Sequence, residues 1–296
     1  MRHLTIALVI TLTLSGSLAC RTTDRTETDL PVIYTTFPIV ETIVREVTGP
    51  AVEVRRLLDA GKSPHSYEPR PSDIREAHRA SAIFYAGENL DAWATEMSDV
   101  RKVSLLGLLP DSLKFFPFPA SNVPDPHFWM DPLALRAVAE ALPEVICQVL
   151  PPGSDCTGFD ERAAGFAQEL MLLDAEIETR VAELRPKVRL VLSTPFMRYF
   201  TRRYDLEVAA TLGKGEGVDP GPSRLAALAR ELDAVPERTL LVVYEARESR
   251  TAARTVAELL GARLVPVDPI GGAEGRDSYR QMMMFNMRQL LGEGSE

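Results

Sequence analysis

Apolar, β-branched runs alternate along this chain with stretches whose apolar residues recur at three- and four-residue steps. The first kind predicts buried strands and the second amphipathic helices. Strands are expected at 31–36, 52–58 and 82–86, with helices at 39–47 and 72–80 between them. A further helix is expected at 132–149, closed by Pro151-Pro152-Gly153. The pattern changes at 160–185, where Phe166, Leu170, Leu173, Ile177, Val181 and Leu184 trace one stripe until Pro186 ends it. At about 1.5 Å per residue that helix would reach roughly 39 Å, too long for an ordinary crossover. It reads as a rigid strut between two lobes. Beyond it the rhythm resumes, with strands at 188–193, 206–211, 239–244 and 263–267 and helices at 198–203, 223–232, 251–260 and 279–291. The prediction is an α/β chain of two lobes, each a mostly parallel sheet flanked by helices, joined by one long rigid helix. The expected boundaries are 30–158, 159–186 and 187–296.

The N-terminus changes where this body is placed. Arg2 and His3 precede an apolar stretch and the small-residue exit Ser15-Gly16-Ser17-Leu18-Ala19, which together read as a secretory leader over residues 1–20. Cys20 follows at once, so lipoprotein processing is expected, although Ser17 stands where a leucine is usual. Residues 21–29 are polar and suit a flexible tether. No later run supplies the roughly 18 apolar residues of a membrane span. The expected location is therefore periplasmic or cell-surface, held to the membrane by a lipid anchor alone. In such an oxidising compartment Cys147 and Cys156 are expected to form a disulfide across the loop between them.

Composition adds little beyond an exclusion. The 296 residues are 45% hydrophobic and 25% charged, with a formal net charge of −9. That acidic balance, with no basic run or stripe, argues against a nucleic-acid partner.

The candidate chemistry lies in two histidines with similar surroundings, Lys62-Ser63-Pro64-His65-Ser66-Tyr67-Glu68-Pro69 and Asp125-Pro126-His127-Phe128-Trp129-Met130-Asp131-Pro132. Proline stiffens both loops and keeps the imidazoles out of helix. Both loops occupy places where open α/β sheets bind ligands, outside the carboxyl ends of strands. The second lobe offers Ser193, Thr194, Glu245 and Asp277 in equivalent positions. Imidazole nitrogen with carboxylate oxygen suits Zn²⁺, and Mn²⁺ as oxygen donors increase. Spacing alone leaves open a structural role for each histidine. His78 is expected to face solvent, and Met282, Met283 and Met284 to belong to the core.

With Tyr199-Phe200, Tyr204-Asp205-Leu206, Glu245 and Asp277-Ser278-Tyr279 added, the chain resembles the metal-specific solute-binding proteins of ABC importers, the zinc and manganese receptors. The resemblance spans essentially the whole mature chain. It implies His65 and His127 as ligands from the first lobe and Asp277 as a ligand from the second, with an ABC transporter permease as partner and no catalysis. It also exposes two departures. The family's histidine or glutamate before the Tyr-Phe pair is here Thr194, whose hydroxyl is a poor zinc ligand, so either water or Glu245 would complete the shell, with Glu245 otherwise a buried carboxylate hydrogen-bonded to loop amides. No histidine-rich loop precedes Asp125. Two other readings remain: a metal-dependent hydrolase with a three-ligand zinc and Glu245, or a degenerate receptor or adhesin without metal. Imidazole must be neutral to bind, so metal affinity should fall with pH near about 6.5. If Thr194 faces the metal, Thr194→His tightens Zn²⁺ binding in a chelator competition; unchanged or weaker binding removes that position from the site.

Overall fold

Two four-stranded parallel sheets, built to one topological plan, form the frame. In the computed structural model the described residues are 30–294 without 88, 117–121, 186, 214–220, 222–226, 229, 231, 233–238 and 248–249. The first sheet takes β1 (Val32–Thr35), β2 (Glu53–Arg56), β3 (Ala82–Tyr85) and β4 (Arg101–Ser104) in the order β2-β1-β3-β4. The second takes β5 (Val188–Leu192), β6 (Val208–Thr211), β7 (Thr239–Glu245) and β8 (Arg263–Val267) in the order β6-β5-β7-β8. Central strands of a parallel sheet are covered on both faces and therefore lose alternation. All four residues of β3 are buried accordingly.

The edge strand β4 was not expected from the sequence. Arg101-Lys102-Val103-Ser104 buries only Val103 against the sheet, so its four residues show no periodicity that separates them from loop. The helix expected at 223–232 lies largely outside the described residues.

Helices α1 (Pro38–Thr48), α2 (Pro71–Ala77), α3 (Leu105–Leu108) and α4 (Pro132–Val149) belong to the first half. Proline opens α1, α2 and α4, where its missing N–H costs nothing. Asp131 caps α4, its carboxylate accepting from the amides of Leu133 and Ala134 at 2.9 and 3.4 Å. Cys147 near the end of α4 is disulfide-bonded to Cys156, their Cα atoms 6.0 Å apart.

The long helix α5 (Phe159–Val181) ends before the expected 185, and residues 182–185 continue as turns. It is packed along much of its length, lying against α1, α4 and α8 (Tyr279–Leu291). Phe166, Leu170, Leu173, Ile177 and Val181 are buried there. Its buried Asp174 accepts from Arg203 Nε, at the end of α6 (Arg198–Arg203), at 2.8 Å and from Tyr204 Oη at 3.0 Å. One apolar core consequently runs from Ile33 and Phe84 through α5 to Leu190, Val243 and Met283. A smaller cluster, including Val191, Val242 and Tyr244, packs under α7 (Arg250–Leu260).

Polar contacts stitch the halves where the loop after β8 meets the first half. The Trp129 indole donates to the Pro269 carbonyl at 2.6 Å, and the buried Tyr279 hydroxyl donates to the Trp129 carbonyl at 2.7 Å. Gly272 sits at φ +75°, and a Cβ there would stand 2.7 Å from Pro38 Cβ. A side chain is excluded both by backbone conformation and by a rigid pyrrolidine ring. Gly272→Ala is expected to lower unfolding stability by about 1–3 kcal/mol, read as a reduced urea midpoint at unchanged slope. A midpoint equal to that of the wild type would show that the two halves do not meet there in solution.

Candidate functional site

The first histidine is held by a clamp of aromatic and hydroxyl groups. After β2 the chain makes a short 3-10 turn over Pro64–Ser66, and the Ser63 hydroxyl accepts from the His65 amide at 3.3 Å. The Trp93 indole donates to the Pro64 carbonyl at 2.9 Å, and the Tyr67 ring meets Trp93 edge-on with centroids 4.7 Å apart. The Tyr67 hydroxyl in turn donates to Asp73 at 2.5 Å, and the same carboxylate accepts from the Arg70 amide. The Pro64-His65-Ser66 turn is thus tied to two neighbouring elements.

The second histidine is oriented by a carboxylate two residues before it. Asp125, 5% exposed, accepts on one oxygen from the His127 amide at 2.9 Å and from its ring Nδ1 at 2.8 Å. The Arg198 guanidinium lies 3.6 Å from its other oxygen. Burial alone would raise the Asp125 pKa, but His127 and Arg198 outweigh it and hold the carboxyl below its ordinary value. With Nδ1–H given to Asp125, the neutral ring carries its lone pair on Nε2, the arrangement common among metal-binding histidines. Trp129 walls this ring, with centroids 5.5 Å apart.

The two loops bring His65 and His127 together, ring centroids 6.0 Å apart and planes tilted by 40°. Two imidazoles sharing one Zn²⁺ would have centroids roughly 5 Å apart, given a Zn–N bond of about 2.1 Å. His65 is solvent-exposed as a residue. Its ring is nonetheless crowded by protein atoms, and this desolvation, together with the charge His127 would carry, lowers its pKa to about 4 against a smaller pull from Asp125.

The second-half candidates are placed differently. Thr194, 6% exposed, follows β5, and its hydroxyl has no hydrogen-bond partner among the described residues. Glu245 is buried at the end of β7, near Arg247, whose pKa burial lowers against the opposing pull of Asp268 and Glu245. Asp277 is exposed, its amide donating to the Gln281 side chain at 3.0 Å beside the Ser278–Gln281 capping box that opens α8. Among the described residues, no three His, Cys, Asp or Glu side chains gather into a metal-binding group. Asp277 and Glu245 are therefore not brought to the histidine pair. His78 is exposed with Nδ1 2.7 Å from the Ile74 carbonyl, while Met282 and Met283 are fully buried.

One residue escaped the sequence reading. Asp268 follows β8 directly and is completely buried, with Arg247 at 3.2 Å and Arg276 at 3.1 Å, and it accepts from the amides of Ile270 and Gly271, each at 3.1 Å. The next residue is Pro269, the acceptor of Trp129, so this acid lies just behind the seam between the β8 loop and the His127 loop. The available signal was positional: an acid immediately after the last strand, as Glu245 ends the neighbouring strand.

Residues 33–292 match the family model described as zinc-uptake complex component A, periplasmic. The chain is 22% identical to the zinc-binding lipoprotein AdcA of Streptococcus pneumoniae over 92% of its own length, but spans only 57% of that protein. It is 24% identical to the manganese ABC transporter substrate-binding lipoprotein PsaA of Streptococcus pneumoniae, with 96% of each chain covered. Among solved structures, the periplasmic zinc-binding protein TroA of Treponema pallidum superposes with a TM-score of 0.75 at 20% identity, over 88% of this chain and 98% of the other.

The depressed pKa of His65 can be measured directly. Its neutral form is favoured in the fold, so the stability it contributes is present above about pH 6.5 and is lost as pH falls toward 4. NMR titration of the metal-free protein should give a His65 midpoint near 4, and a midpoint above 6 would contradict the crowded environment described.

Proposed function

Because the chain belongs to the zinc-uptake complex component A periplasmic family, we propose that it is an extracytoplasmic receptor that captures a divalent transition metal and delivers it to an ABC importer. Zn²⁺ is the first candidate cargo and Mn²⁺ the second, the metals in the names of AdcA and PsaA. The observation that carries the reading is the His65–His127 pair, with His127 oriented through Nδ1 by Asp125. Neutral imidazoles aimed from stiff loops match a metal that prefers nitrogen donors. Asp277 remains the proposed second-half ligand from sequence, with Glu245 or water completing the shell and Thr194 a weak contributor. For Asp277 to reach the histidines, the loop ahead of α8 must move.

Such movement has to be local. The core is continuous through α5, so capture and release are assigned to displacements of the 269–278 loop and not to wide separation of lobes. No helix among the described residues is long and apolar enough to cross a membrane. Attachment through Cys20, which lies outside those residues, is proposed from the leader and from the lipoprotein names of AdcA and PsaA. A hydrolytic role finds no support in the family, which consists of receptors.

Elemental analysis of the natively exported protein, with calorimetry against Zn²⁺ and Mn²⁺, tests the reading. His127→Ala should abolish high-affinity binding, and Asp125→Ala should weaken it by about 10–100-fold through loss of ring orientation. Asp277→Asn should weaken it as well if that acid closes on the metal. Wild-type affinity in His127→Ala would remove the histidine pair from the site and the receptor reading with it.

A further inference from the structure

The second sheet ends in an edge strand, β8, that carries a cavity of its own. It measures about 740 Å³ and is lined from β7, β8, α7 and α8. That volume lies within the roughly 300–1,000 Å³ of small-molecule sites. None of its lining residues belongs to the candidate metal site.

Among the described residues, every charge in this lining is positive. Arg250 and Arg254 stand one helical turn apart on α7, so both guanidinium groups leave the same face of that helix. Neither is paired with an acid among the described residues. Arg263, at the start of β8, donates to the carbonyls of Gln289 and Leu290 at 2.8 and 2.5 Å. Burial lowers its pKa, and no carboxylate opposes that shift. Capping the carboxyl end of α8 accounts for Arg263 but not for the other two. Three cations without an acid stand out in a chain whose formal net charge is −9.

Tyr244 gives a second, independent sign of a ligand. It lines the cavity, is only 8% exposed, and its hydroxyl has no hydrogen-bond partner among the described residues. A buried phenol ordinarily finds one. Water or a ligand in the cavity must supply it, and the arginines beside it set the charge of that ligand. Leu264, Pro266 and Phe285 add an apolar wall.

The edge itself resists an added strand. The Val267 carbonyl accepts from Ala246 N and so faces β7. Backbone groups alternate along a strand, so Pro266 faces outward, where it has no N–H to offer. An occupant is held by side chains and not by a backbone ladder.

We propose that this cavity is a binding site for a small organic phosphate, a dianionic ester with an apolar body. The Arg250 and Arg254 forks and the Tyr244 hydroxyl donate to the phosphate oxygens, and the apolar body lies on Phe285, Leu264 and Pro266. The site is independent of the cargo assigned to the histidine pair.

Chelator-treated protein should be titrated by calorimetry with phenyl phosphate, inorganic phosphate and phenol. Phenyl phosphate should bind about ten-fold or more tightly than inorganic phosphate and raise the melting temperature, while phenol at the same concentration does neither. Arg254→Gln and Tyr244→Phe should each weaken phenyl phosphate by about ten-fold or more, the scale of one charge-assisted hydrogen bond. Arg254→Gln should leave the melting temperature of the free protein and its Zn²⁺ affinity unchanged. Arg79→Gln, which removes an exposed arginine of the first half, should bind phenyl phosphate as the wild type does. The site is overturned if phenyl phosphate gives neither heat nor a thermal shift at millimolar concentration, or if Arg254→Gln and Tyr244→Phe bind it as the wild type does. An equal loss in Arg79→Gln would reduce the effect to general charge, and equal binding of inorganic phosphate would remove the ester. Binding that appears only after deletion of residues 295–296, which follow Gly294 at the rim, would make the chain's own end the occupant and end the proposal.

Discussion

Burial of one face of α5 against both halves is the constraint on which the rest of the molecule depends. Two parallel sheets could be linked by a flexible tether and open like jaws, but here Phe166, Leu170, Leu173 and Ile177 belong to the same apolar core as Ile33 and Val243. Separating the halves would expose that surface to water, at about 25 cal/mol for each Å². Asp174 raises the cost further, because it is the shared acceptor of Arg203 and Tyr204 and would lose both. With the frame fixed in this way, any change on binding is confined to the loops at the carboxyl ends of the strands.

Those loops are not equally free. The His65 turn is tied through Pro64 to Trp93, and the His127 turn through Asp125 to its own ring and amide. Across the seam, Trp129 and Tyr279 exchange hydrogen bonds with the opposite half. The 272–277 stretch is tied by the turn between Gly272 and Arg276, by the Arg276–Asp268 ion pair and by the Asp277 amide held by a side chain, while the Asp277 residue itself is exposed. Rigidity under the imidazoles suits the metal-binding role proposed for them, whereas Asp277, the acid proposed from the sequence, lies exposed at the start of α8.

How much of this could be read from the residues depended on whether the cause was local. The strand–helix rhythm, the long stripe from Phe166 to Val181 and the two Pro-flanked histidines are local patterns, and the fold displays each of them. Strand β4 failed the same reading because a four-residue edge strand needs only one buried side chain. Asp268 failed it for a different reason. What distinguishes this acid is its pairing with Arg247 and Arg276, which arrive from two separate loops, and no spacing rule links residues brought together only by tertiary structure. Asp277 was the more conspicuous acid in the sequence because it stands beside a helix start, yet its own backbone is occupied by the capping arrangement there.

The charge balance of the second half bears on which metals such a site can hold. Arg247 and Arg276 face Asp268 and Glu245, so the two cations and two acids cancel and this face adds little net negative field. In the first half, Asp125 is balanced in part by Arg198. A hard cation such as Mg²⁺ or Ca²⁺ is bound through the charge and number of its oxygen ligands, and a field so nearly neutral gives it little reason to leave water. A metal that forms strong bonds to neutral imidazole depends less on that field, which is the donor-chemistry ground for proposing Zn²⁺ ahead of Mn²⁺. On the proposed reading, selectivity would come from what the second half has neutralised as much as from what the first half offers.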